Sequence, residues 1–93
     1  MKISLSKDAL SGDVPIPRGE YWVSLQSETR VIVLAGHGKD YKLPAIRRRA
    51  KVQAKTTQVQ FYSGGGATWS IVIVAPKHGE WITSVTYQDQ GRR

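Results

Sequence analysis

Arg47, Arg48, Arg49, Lys51 and Lys55 fall within nine residues, and no Asp or Glu occurs anywhere from Tyr41 to Gly79. Cations at that density can neutralise a polyanion, and guanidinium groups can also fork onto a phosphate or stack on a base. Seven Lys or Arg lie between Tyr41 and Gly79, while the rest of the chain balances seven basic against seven acidic side chains, so this stretch supplies the whole formal charge of +7. Read as a strand, residues 45–55 put Arg47, Arg49, Lys51 and Lys55 on one face and Ile46, Ala50, Val52 and Ala54 on the other, with Arg48 out of pattern. Same-face residues in a strand are about 7 Å apart, close to the phosphate spacing of an extended single strand. Read as a helix, the segment still gives a stripe of Arg47, Lys51 and Lys55. No Ser, Thr, Asp or Asn stands at its start to cap a helix, which favours the extended form. The competing role for such a stripe is a solvated edge whose charges prevent aggregation.

Two aromatic residues lie on otherwise polar faces. Trp22 shares its face with Glu20, Ser24 and Gln26, and Tyr62 shares its face with Gln58 and Gln60. Exposed rings beside cations can stack a base or anchor a peptide, although such a ring is more often covered by a neighbouring loop or by the N-terminal arm. Trp69 and Trp81 fall on apolar faces and belong to the core. His37 and His78 sit in matching His-Gly turns with Asp40 and Glu80 nearby, yet a spacing of 41 residues is no ligand motif, and no metal or cofactor site is expected. Gly64-Gly65-Gly66 lacks a following Lys-Ser or Lys-Thr and reads as a hairpin turn rather than a phosphate cradle. Ser24, Ser63, Ser70 and Ser84 have no motif around them, and no two carboxylates are close in sequence, so nothing supports catalysis.

The elements that must position these residues are strands. Alternation with period two runs through Glu20 to Gln26, a continuous apolar run fills Val31 to Ala35, and Asp40 to Leu43 is a short strand stopped by Pro44. The second half repeats this plan at Thr57 to Tyr62, Thr68 to Ala75 and Glu80 to Tyr87, at an offset of 40 residues. Two related three-strand meanders would explain the repeat, and so would the general likeness of any two meanders of equal length.

The expected fold is therefore all-β, a small single domain 1–93 built as a partly open barrel or a two-sheet sandwich of six to seven short antiparallel strands. The N-terminal arm 1–18 and the tail 88–93 are expected at the periphery. With no cysteine, stability must come from apolar packing and strand pairing, and the composition fits a reducing cytoplasm. The N-terminus lacks the ~7 to 15 apolar residues of a secretory signal, and no run approaches the ~20 of a membrane span.

The functional expectation is a non-enzymatic binding module. Arg47, Arg48, Arg49, Lys51 and Lys55 would engage a polyanion, nucleic acid first, with Trp22 and Tyr62 as stacking or interface residues. Phosphate contacts alone would give affinity without sequence selectivity. The alternative is a protein-interaction or assembly domain in which Val31–Ala35 or Ile71–Ala75 pairs with another chain and the arginines meet an acidic partner. Whether the chain forms a homo-oligomer is left open.

Overall fold

Alternation of apolar and polar residues resolves into ten strands in the computed structural model, which describes residues 1–49 and 55–88. In chain order they are β1 (Lys2–Leu5), β2 (Ala9–Ser11), β3 (Val14–Ile16), β4 (Gly19–Gln26), β5 (Val31–Gly36), β6 (Lys39–Pro44), β7 (Ile46–Arg48), β8 (Gln58–Gly65), β9 (Thr68–Ala75) and β10 (Gly79–Tyr87). One antiparallel sheet has the order β1-β4-β5-β6. The other has the order β3-β2-β10-β9-β8, with β7 also pairing β10. The sheets are not closed into a barrel, and two separate antiparallel sheets enclose one core.

The core lies between the inner faces. Tyr21, Val23, Ile32, Leu34 and Leu43 come from the first sheet, and Ile71, Ile73, Trp81 and Val85 from the second. Burial of about 1.5 to 3 kcal/mol per large apolar side chain makes this layer the main favourable term in the absence of disulfides. Tyr21 is fully buried, donates its hydroxyl to the Pro17 carbonyl, and packs edge-on to Tyr41 at 5.8 Å between ring centroids. Gly36 makes room for it, because a Cβ there would sit 2.8 Å from Tyr21 Cδ1 and 2.7 Å from the Glu20 carbonyl oxygen.

Two expectations need correction. Among the described residues the strand number is ten rather than six or seven, and residues 1–18 are not peripheral. They supply β1, β2 and β3, and they bury Ile3, Leu5, Ala9 and Ile16. Strands of three or four residues are too short to show a period, which is why the alternation missed them. A usable signal was Gly12-Asp13, the two-residue turn between β2 and β3, with Gly12 at φ 59°. At the other terminus, Gln88 donates its backbone N–H to the Asp8 carbonyl at 2.8 Å, and residues 89–93 lie outside the described residues.

The two meanders are present, β4-β5-β6 in one sheet and β8-β9-β10 in the other. Their outer strands match at an offset of 40, since Tyr21 and Phe61 face inward while Trp22 and Tyr62 face outward. The middle strands do not match. Ile32 and Leu34 are the inward residues of β5, but Ile71 and Ile73 are those of β9, so the 40-residue partners Val31 and Ile71 point to opposite sides. A one-residue slip reverses every side chain of a strand, and the irregular register between Ser63 and Gly65 accompanies it here. The glycine turn is accordingly displaced: β8 runs through Gly65, and Gly66-Ala67 makes the reversal.

Pro44 ends β6 as expected, opposite Val31 on a sheet edge where its missing N–H costs no ladder bond. The chain then changes sheets. Ala45 donates its N–H to the Arg30 carbonyl at 3.0 Å, Thr83 donates its hydroxyl to the Pro44 carbonyl at 2.8 Å, and β7 joins β10. This crossing delivers the arginines to the second sheet.

Candidate polyanion-binding end of the sandwich

β7 is extended, in line with the strand reading, but it covers only Ile46 to Arg48. Its register places Ile46 opposite Ile82, Arg47 opposite Trp81 and Arg48 opposite Glu80. Directly opposed residues share a face, so Arg47 lies on the inner side with Trp81, while Ile46 and Arg48 lie on the outer side. The alternation is therefore as read and its sense is inverted: Ile46 is 70% exposed rather than packed in the core. The reason is local. At this end the inner side of β7 opens into a cleft between two turns, and the outer side has no layer above it.

That cleft gathers three cations from three separate elements of the fold. The turn Ser27–Arg30 between β4 and β5 and the turn Pro76–His78 between β9 and β10 meet there, around a volume of about 420 Å³. Arg30, Arg47 and Lys77 line it, with His78 beside them, Trp81 as its apolar wall and Glu28 as its one carboxylate. Trp81 is 4% exposed and donates its indole N–H to the His78 carbonyl at 2.9 Å, which pins the second turn to the core. Arg47 lies over Gly79, where a Cβ would come within 3.3 Å of the Arg47 Nε. Arg30 and Lys77 both adopt left-handed backbone conformations, at φ 60° and 70°.

Among the described residues the ion pairs are Lys2 with Glu20, at 3.3 Å, and Arg48 with Glu80. Arg30, Arg47, Arg49, Lys55 and Lys77 are thus without a carboxylate within bridging distance in that set. Arg48 is different. Its Nε donates to Glu80 Oε2 at 2.7 Å and a second guanidinium nitrogen donates to the same oxygen. The hydrogen bond to Glu80 raises the Arg48 pKa above its ordinary value, burial opposes this, and Tyr62 adds to the rise. The arginine that broke the sequence pattern therefore ties β7 to β10 and reaches toward β8.

The structure separates the other singled-out residues. Arg49 and Lys55 are exposed on either side of residues 50–54, and Lys51 lies within that span, outside the described residues. Tyr62, 41% exposed, is on the outer face of the second sheet with Arg48. Trp22, 60% exposed, is on the outer face of the first sheet, with the Lys2 ammonium 5.3 Å from its ring centroid. The two rings are on opposite sides of the sandwich, so they cannot stack on neighbouring bases. His37 and His78 are also apart: His37 lies against Gly19 at the start of β4, and His78 lines a cleft with Ser27 just beyond its end. Eight strand residues separate them, roughly 26 Å, too far to share one ion.

Sequence reasoning missed Arg30, Lys77 and Trp81 as site residues. Arg30 directly precedes the run Val31–Ala35, and Lys77 follows Ile71–Ala75 by two residues. That shared relation to the two apolar runs was the available signal; which ends of the runs meet is a property of the sheet order. Compared with protein-family models, curated protein sequences and solved structures, the chain matches none.

Proposed function

We propose that the protein is a non-enzymatic β-sandwich binding module that engages a polyanion, nucleic acid first, through its cationic end. The observation that carries this reading is the convergence of Arg30, Arg47 and Lys77 on one cleft beside a single carboxylate, with no ion pair among the described residues to neutralise them. Three side chains from three separate elements around one space suit a chain of phosphates better than a solvated edge does. The buried Trp81 ring gives the cleft an apolar wall against which a sugar or base can rest. Arg49 and Lys55 extend the positive surface beyond the cleft, and Arg48 contributes through the placement of β7.

A fluorescent single-stranded oligonucleotide titrated across a salt series tests the reading. Binding that weakens steeply and log-linearly with salt is expected. Absence of binding at low ionic strength sinks the reading.

A further inference from the structure

Five strands among the described residues pair on one side only: β1, β3, β6, β7 and β8. Four of them carry the features that stop an edge from recruiting another chain, namely shortness, charge or proline. β1 has four residues and includes Lys2, and β3 has three and includes Pro15. β6 carries Lys39, Asp40, Lys42 and Pro44, and β7 is three residues with two arginines. β8 has none of these: it is eight residues long, without a charge or a proline, and its register irregularity is confined to Ser63–Gly65. The apolar runs Val31–Ala35 and Ile71–Ala75, expected to pair with another chain, are closed to it, because β5 and β9 already have partners on both sides.

We propose that the free edge of β8 pairs antiparallel with β8 of a second copy across a two-fold axis, joining two six-stranded sheets into one. The strand is complementary to itself when centred on Gln60. That register sets Gln60 against Gln60, Val59 against Phe61 on the inner face, and Gln58 against Tyr62 on the outer face. Apolar side chains meet apolar ones and polar meet polar, which is the condition that fixes a register. Centring on Phe61 instead would put Val59 against Ser63 and bring the irregular segment Ser63–Gly65 into the ladder.

Two further observations favour a second copy over an acidic partner. Nothing on this edge is charged, so it offers an acidic chain no selective contact. The antiparallel alignment also sets Lys55 of each copy opposite Gly65 of the other, which keeps the cationic ends apart despite a net charge of +7 per chain. Val59 and Phe61 are only partly buried in the single chain, and Phe61 is held flat by stacking on Trp69 at 4.8 Å between centroids. The proposal does not rest on polyanion binding.

Sedimentation equilibrium from micromolar to millimolar concentration, with three variants, decides it. The full chain should approach twice its mass of 10.3 kDa and no more. Gln60→Lys, at an exposed position, should weaken association about fivefold or more by setting like charges directly opposite, and Gln60→Glu should do the same. An equimolar mixture of the two should restore a dimer. A strictly monomeric wild type, open-ended association, or a mixture no tighter than its parts would overturn the proposal. Should Gln60→Lys fail to fold, amide exchange of the wild type keeps the test: protection in β8 must fall on dilution, and concentration-independent protection refutes self-pairing.

Discussion

Replacing Arg30, Arg47 and Lys77 together by Gln should remove at least half of the salt dependence of oligonucleotide binding. Five cations enter the count: the three of the cleft, and Arg49 and Lys55, which follow Arg47 in the basic segment; none has a carboxylate within bridging distance among the described residues. Each phosphate neutralised on a single strand adds about 0.7 to the slope of log affinity against log salt, so five contacts give a slope of about −3.5 and the remaining two about −1.4. Raising salt from about 50 to about 200 mM should then weaken the wild type roughly 130-fold and the triple variant roughly sevenfold. Lys51 would add the same increment to both proteins and leave the difference between them intact. Fluorescence anisotropy with one labelled oligonucleotide measures both slopes. Parallel lines would refute the reasoning, because the cleft would then hold no phosphate and any binding would reside elsewhere on the surface.

Further outcomes follow from the same geometry. Trp22→Ala should leave oligonucleotide affinity unchanged within twofold, because the ring lies on the face opposite Arg48 and Tyr62; a tenfold loss in anisotropy titrations would contradict that placement. Burial, with Tyr41 and Asp8 adding to it, raises the Tyr21 pKa above its ordinary 10.0. The native state holds that proton more tightly than the unfolded chain does. Its contribution to stability is therefore complete below about pH 10 and is lost as pH rises through the native pKa. Urea midpoints measured from neutral to alkaline pH should show this decline, and Tyr21→Phe should flatten it. Gly36→Ala forces a methyl against the Glu20 backbone and the Tyr21 ring, costing about 2 kcal/mol as an overpacked core substitution does. For a domain of this size that lowers Tm by roughly 8 to 16 °C, read by thermal denaturation.

Much of the second half of the fold was legible because its strands are long. Trp81, Thr83 and Val85 face inward at period two, as their spacing implies, and Trp22 and Tyr62 are exposed as their polar neighbours imply. The first 18 residues were opaque for the opposite reason, since three strands of three or four residues leave no period to count. The site was half legible. Charge density located β7 and its arginines, but which arginine is neutralised depends on Glu80, 32 residues away from Arg48, and only the β7–β10 register brings them together. Nothing local joins Lys77 to Arg30. Their meeting follows from the way two turns in different sheets end at the same place.

Two of the three cations in the cleft occupy backbone conformations that glycine or asparagine would hold at lower cost, since a side chain in the left-handed region carries of order 1 kcal/mol of penalty. A long basic side chain at φ 60° or 70° is thus an expense in every copy of the folded protein, bound or free. Glycine at both positions would relieve that cost and remove two of the three cations of the cleft. Backbone comfort and positive charge therefore trade against each other at these two turns, which limits how far the domain can be stabilised there without losing its positive end.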